Sequence, residues 1–553
     1  MNLPRQKKGG ILRLVILVAI VVVVSTLVVH FLLDWRAGRQ WKEAQARMEK
    51  EGLLLDWRAM MPPPLAKELN FAAIEPLMGF NVINPSDDPT DKASESRQAL
   101  LDLDKGLERC LVRANGVMLG QPPDWSEVVQ AMTASKFLEQ SLSMEDAAGV
   151  ILRTLDEKKP LLKQITSQSF QYSDAEFLPT WREQNLSEPL STIKTLPHSA
   201  WVNLNRVLFL HGMAASEAGD SIAALADART QILLSKALLR DSSNTGPILA
   251  SVVLGQSCEI LWNLCRHRGL PEDQLASLQV LLSSINQEDH FLRFLSINMV
   301  ENLEIVDVIA DHPEARPAFF KMSSVGGALS WSKISPILPR WFFVLNKSHL
   351  VEIEMDYVFM PFKESGFAGV IKNQKALNSL LVAHREEWKH LDLFFAREMI
   401  PQASNVVNKF IHLECSLRQA IVACALERFY LKYQRYPDKL EQLLPDFLTA
   451  VPIDPMDHLP IRYSQSASDR YQLWCVGLDG LDDGGQVNSS STSSPVLSTS
   501  SSINNPWLHS IQYKGDRIWQ YTPVKTDEPD SRNRKWVAPS AGGLPPLPSS
   551  SRQ

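Results

Sequence analysis

Residues Ile11 to Leu33 form one almost wholly apolar run, ILRLVILVAIVVVVSTLVVHFLL. No other feature constrains the chain as strongly. At about 1.5 Å per residue the run is long enough for a hydrocarbon core of about 30 Å. Arg13 stands near one edge, where its side chain can snorkel, and His30 stands near the other. A secretory signal peptide has an apolar core of only ~7–15 residues and a small-residue cleavage site. Neither fits, so the run reads as an uncleaved signal anchor. Arg5, Lys7 and Lys8 precede it, and Arg36, Arg39, Lys42, Arg47 and Lys50 follow it. The positive-inside count is nearly balanced, but long domains translocate largely regardless of charge. The expectation is a short basic tail (1–10) inside, a span at 11–33, and a long body on the periplasmic side of a bacterial inner membrane.

The KKGG before the apolar helix resembles the cleavage region of type IV prepilins and pseudopilins. That pattern needs a Glu at the fifth mature position. Cleavage after Gly9 puts Leu14 there and cleavage after Gly10 puts Val15, so prepilin processing is not expected.

Residues 34–96 read as a juxtamembrane helix followed by a linker broken at Pro62, Pro63 and Pro64. From 97 to 400 the pattern is helical. One hairpin shows why. Pro247 sits in a first turn, and Ile248, Val252, Leu254, Cys258, Leu261, Trp262 and Cys265 recur at helical spacing. Arg266, His267 and Arg268 suit the negative end of the dipole, Gly269 stops the helix, and Pro271 opens the next. Residues 220–240, just upstream, read as another amphipathic helix. Successive helix pairs without a fixed period imply a bundle or an irregular α-solenoid. The fold class expected is mainly α, with a transmembrane helix, a helical ectodomain and a small C-terminal α+β domain.

Chemistry is sparse in this stretch. HExxH, GxSxG, P-loop and GxGxxG motifs are all absent. On one helix His384 and Glu387 share a face while His390 lies further round, and the three read as a solvated helix face. Ser330 and Lys333 make an SxxK match without the SDN and KTG partners, a chance pattern. Six cysteines, Cys110, Cys258, Cys265, Cys415, Cys424 and Cys475, have no CxxC spacing and read as small buried hydrophobes. In an exported domain a disulfide is open but cannot be paired from the sequence. A net charge of −6, without a basic stripe, argues against nucleic-acid binding.

The C-terminal region is the most informative. Val406, Phe410, Leu413, Leu417, Ile421, Cys424 and Leu431 mark one face of a long helix, ended by Pro437 after Tyr436. PDKLEQLLPDFL reads as a short helix. PIRYSQ and YQLWCVG read as two strands joined by the turn SASD. Then comes GLDGLDDGG (477–485), three aspartates and four glycines in nine residues.

ALERFYLKYQRYPDKLEQLLPDFLTAVPIDPMDHLPIRY…YQLWCVGLDGLDDGG resembles the C-terminal part of the major pseudopilins of type II secretion systems, over about 418–487. YKGDRIWQYTP (513–523) is similar to that family's closing segment. The same module, and the segment LDWRAMMPPPLAKELNFAAIEPL, resemble large membrane-anchored proteins of planctomycete- and verrucomicrobia-like bacteria, a resemblance that implies no known activity. The pseudopilin resemblance implies an α+β domain at 401–536. A Ser-rich stretch at 488–506 interrupts it, and a Pro/Ser-rich tail at 537–553 follows it. The resemblance also implies a calcium loop, with Asp479 and Asp516 at matching positions and Asp482 and Asp483 as local candidates. An EF-hand is excluded, because Leu481 stands at its third position and Ser490 at its twelfth. The alternative is a tight polar turn. Roughly 370 residues separate the span from the C-terminal helix, so anchor and head cannot form one continuous pilin-like stalk. The function expected is binding or scaffolding at the cell envelope, with an envelope protein as partner and without catalysis. Two alternatives stand beside it: an accessory component of a type II secretion or type IV pilus-like system, and an enzyme whose non-contiguous site lies in the helical domain.

Overall fold

The computed structural model describes residues 8–53, 55, 60, 62–80, 92–105, 107, 125–138, 147–177, 198–240, 245–322, 333, 335–383, 392–486 and 516–521. The Ser-rich stretch, the C-terminal tail, Cys110, Ser330 and the His384–His390 segment lie outside them. The chain is mostly helical with one small antiparallel sheet, as the periodicity implies.

Helix α1 (Lys8–Lys50) is a single helix that continues from the apolar run into polar sequence. Its side chains are exposed from Arg13 to Leu32 and half-buried at Leu33, then Ala37, Ala44 and Met48 are buried and Trp41 is partly buried. The alternating steps of four and three put these residues on one seam, as in a coiled coil. The seam packs on helix α12 (Arg340–Glu354) and the π turn Met355–Phe359 that extends it. Lys347 Nζ lies 4.1 Å from the Trp41 ring centroid, Arg47 pairs with Asp356, and Lys363 Nζ bonds Glu51 at 2.7 Å. The partners rise together along both segments, so the two run parallel.

Between them in sequence lie α2 (Lys92–Leu101), α3 (Trp125–Ala134), α4 (Ala147–Lys158), α5 (Pro160–Thr166), α6 (His198–Ala218), α7 (Ser221–Leu239), α8 (Thr245–Arg266), α9 (Glu272–Ser283), α10 (Gln287–Asp311) and α11 (Arg316–Met322). Helix α13 (Met360–Ala383) and the 40-residue α14 (Phe394–Tyr433) follow α12. At about 1.5 Å per residue α14 spans about 60 Å.

The amphipathic reading of 220–240 is corrected. Every residue of α7 from Ala224 to Leu239 is buried, because α6, α8 and α5 cover it from several sides. Its charges are tied down internally. Arg229 Nη1 donates to Ser277 Oγ (3.3 Å), and Lys236 Nζ donates to Ser173 O (2.6 Å) and Ser284 Oγ (3.2 Å). A second correction concerns PDKLEQLLPDFL. Helix α14 ends at Tyr433 with Gln434 in the left-handed region (φ 56°), and only a 3₁₀ turn, Leu440–Leu443, follows.

Strands β1 (Arg462–Ala467), β2 (Arg470–Cys475) and β3 (Arg517–Tyr521) form an antiparallel sheet in that order. Register pairs Tyr463 with Leu473 and Leu473 with Trp519. Tyr471, Leu473, Cys475, Trp519 and Tyr521 alternate along their strands and are buried. One connected apolar core runs from Ala44 to Tyr521, so sheet and helices share it. Trp262 Nε1 of α8 donates to Gln520 O (2.8 Å), and Arg268 donates to Tyr521 Oη (3.2 Å) and Tyr430 Oη (2.9 Å).

The linker after α1 is clipped to the body by Asn70, which is fully buried. Its Nδ2 donates to Glu176 O (2.6 Å), and its Oδ1 accepts from Glu176 N (2.8 Å) and Ala72 N (3.0 Å). Asn70→Ala removes three hydrogen bonds to buried backbone groups. A loss of about 3 kcal/mol is expected in chemical denaturation, at about 1 kcal/mol per bond.

Candidate functional site

The Gly/Asp loop follows β2 and is built on Arg462 of β1, whose side chain is 14% exposed. Arg462 Nη1 donates to Asp454 Oδ2 (2.7 Å), its Nε donates to Asp482 Oδ2 (3.1 Å), and it also pairs with Asp457. Asp454 is completely buried and accepts from Val476 N (2.7 Å) and Met456 N (2.9 Å) as well. One guanidinium thus ties the turn before β1 to the loop after β2, in the multidentate geometry that suits Arg.

Asp482 is satisfied within the protein. Its Oδ1 accepts from Trp474 Nε1 (2.9 Å) and Gly484 N (3.0 Å). The Trp474 bond, the Gly484 N–H and Arg462 together hold its carboxyl below the usual range, against a small opposing effect of burial. Asp479 Oδ1 accepts from Leu481 N (3.2 Å), an Asx turn that Gly480 completes at φ +71°. Asp516 Oδ2 accepts from Gly485 N (2.9 Å). Burial pushes the Asp516 carboxyl up, and the charges of Asp482 and Asp483 add to that push. Gly485 has φ +70°, a backbone conformation that strains any residue carrying a Cβ.

The four aspartates are therefore not equivalent. Asp482, Asp483 and Asp516 share one neighbourhood, and Asp479 closes its own turn. Calcium needs six to eight oxygens. Among the described residues no group of three or more His, Cys, Asp or Glu side chains is arranged to hold a metal ion. The two turns joined by Arg462 carry Leu459 and Leu481, which are 56% and 63% exposed. Beside them a shallow groove is lined by Ile371, Gln374, Lys375, Asn378 and Ser379 of α13 and by Leu478 of the loop.

Three buried polar centres had no sequence motif to reveal them. The first joins α4, α6 and α7. His211 Nδ1 lies 2.6 Å from Asp227 Oδ2, and its Nε2 lies 3.4 Å from Asp156 Oδ1. The second surrounds Glu427, which accepts from Tyr436 Oη at 2.7 Å beside the stacked rings of Tyr471 and Tyr521, 4.6 Å apart. Burial pushes the Glu427 carboxyl up to about 8. Tyr436 is the Tyr of the RYP sequence, so that motif is spent on packing. The third is Glu354 at the end of α12. It is 1% exposed, both oxygens lack a partner, and burial pushes its carboxyl up to about 8. Glu354→Met keeps the volume and removes an unsatisfied acid. A gain of about 1–3 kcal/mol is expected, read as a higher denaturation midpoint. The five cysteines among the described residues are free and buried. Burial pushes the Cys258 thiol up to about 12, which makes it an inert hydrophobe.

Comparisons with protein-family models, with characterised proteins and with solved structures give no match.

Proposed function

We propose that the chain is a single-pass, inner-membrane-anchored scaffold whose periplasmic body, an irregular helical bundle, presents the Arg462-tied face to a protein partner. The observation that carries this reading is the continuity of α1. The apolar segment runs without a break into a stem docked along α12, so the body is held at a set height and angle. The sheet packs on the upper half of α14, where Gln419 Nε2 donates to Arg517 O at 2.7 Å. On this reading the loop face lies well away from the span. Its exposed leucines beside aspartates suit a basic, partly apolar segment. A photo-crosslinker at Leu459 or Leu481, activated in intact cells, is expected to give one discrete adduct that an Ile222 control does not. Equal, diffuse labelling at all three positions contradicts the reading. A membrane-impermeant thiol reagent that fails to reach Val280→Cys in spheroplasts contradicts the periplasmic placement.

A second reading, an accessory component of a type II secretion or pilus-like system, is favoured by the order long helix, short turn, hairpin and closing strand. It carries the calcium ion at Asp479, Asp482, Asp483 and Asp516, and Asp482 would have to exchange Arg462 for metal. In that case calcium at a hundredfold excess over its dissociation constant stabilises the protein by ~2.7 kcal/mol, reversed by EDTA and absent in Asp516→Ala. The scaffold reading expects identical melts in calcium and EDTA.

A further inference from the structure

We propose that the turn Ser335–Ile337 is a second membrane contact, an apolar prong that enters the headgroup–acyl boundary beside the anchor. The proposal rests on the reading of α1 as a membrane span. Three placements converge on it. Leu33, the last apolar residue of the run, is already partly covered by the body, and Ala37, one turn on, is 2% exposed. The body therefore reaches down to the level where α1 leaves the apolar run. Because α1 and α12 run parallel with Trp41 beside Lys347, and both rise about 1.5 Å per residue, Arg340 lies level with about residue 34. The turn Ser335–Ile337 immediately precedes that first turn of α12.

The turn is built to be rigid. Arg316 of α11 is 5% exposed and donates to Ile309 O (2.8 Å), Ser335 O (3.3 Å), Pro336 O (3.2 Å), Leu338 O (3.1 Å) and Ala310 O. Its guanidinium lies 4.6 Å from the Phe343 ring centroid. A buried guanidinium thus satisfies three carbonyls of a surface turn, which lowers the cost of moving that backbone out of water. The tip is Ile337. At 82% exposure it is the most exposed large apolar residue among the described ones. In water a fixed, protruding isoleucine gains nothing, whereas burial in acyl chains removes its apolar surface from water. The surroundings have interfacial chemistry. Trp35 of α1 is 60% exposed, Trp341 is partly buried, and Arg340 (76% exposed) and Lys333 can reach headgroup phosphates. The acids at this corner are paired, Asp311 with Arg340 (3.8 Å) and Glu314 with His312 (2.9 Å).

The test uses the full chain in 3:1 phosphatidylcholine–phosphatidylglycerol nanodiscs with a trace of nitroxide lipid. An environment-sensitive fluorophore is placed at Ile337→Cys, Val24→Cys or Val280→Cys. Val280 is 69% exposed on α9, whose Gln279 bonds Arg428. Arg428 lies about 50 Å along α14 from Phe394, which packs in the cluster beneath the turn. Lipid quenching at 337 several-fold above 280 is expected, with a blue-shifted emission. Quenching at 24 but none above background at 337 overturns the prong and leaves the anchor standing. A blue shift at 337 without lipid quenching assigns the turn to a protein contact and also overturns it. No quenching at 24 overturns the anchor and the prong together.

Discussion

Arg462→Met is expected to lower the stability of the detergent-solubilised protein by about 3–5 kcal/mol, the scale for removing one partner of a buried ion pair. The reason is asymmetry of burial. Asp457 and Asp482 are partly solvated and can find water, with side chains 25% and 44% exposed, but Asp454 is completely buried. Without the guanidinium its charge keeps two backbone donors and loses its counter-ion. Arg462→Lys is expected to recover less than half of the loss, because one ammonium cannot serve three carboxylates. The loss should also be local at first. Proteolytic nicking at the 477–486 loop is expected to rise before global unfolding, since Asp482 is then held only by Trp474 and Gly484. An unchanged denaturation midpoint in Arg462→Met would mean that the carboxylates do not depend on the guanidinium.

His211→Ala carries a loss of similar size, about 3–5 kcal/mol, with a distinct pH signature. Asp227 is fully buried, and its Oδ1 already lacks a partner. Deleting the imidazole leaves both oxygens unpaired, so the double variant His211→Leu/Asp227→Leu should be less damaging than His211→Ala alone. Burial opposes the charge on His211, but Asp227 and Asp156 outweigh it and raise the group to about 10. Burial also pushes the Asp227 carboxyl up, while the imidazolium pulls it back. A group whose folded pKa is raised stabilises fully below its unfolded value, and that contribution is lost as pH rises through the folded value. The His211 contribution is therefore complete below pH ~6.5 and is lost by pH ~10. Glu354 and Glu427, both raised to about 8, act in the same direction at lower pH. Stability should fall from about pH 6.5 to alkaline pH, because His290 and His412, held down to about 3 by burial, oppose the fall only at lower pH, and the decline above pH 8 should be shallower in His211→Ala. Parallel profiles for the two proteins would refute the assignment.

Much of this fold is legible in the residues, for local reasons. The long apolar helix and its polar continuation are read from hydropathy that changes after Leu33. The β-hairpin is read from alternation around a polar turn. What escapes is decided by partners far along the chain. Asp227, Arg229 and Lys236 look like the solvated face of an amphipathic helix, yet they are met by His211, Ser277 and Ser173 in the middle of the body. The seam Ala37–Trp41–Ala44–Met48 has heptad spacing, but nothing in 34–51 says that its partner lies 300 residues on. In the loop, residue types single out the aspartates. Only the fold shows that Arg462, from the first strand, takes up Asp482 while Asp479 closes a turn.

On the proposed reading, α1 is one rigid element from the membrane into the body. Double electron–electron resonance between spin labels at Glu43→Cys on α1 and Glu364→Cys on α13 tests it most directly, in detergent and in nanodiscs. A single narrow distance distribution, unchanged between the two media, is expected. A broad or medium-dependent distribution would mean that the stem is a flexible tether, and the fixed placement of the body on the membrane would fall with it.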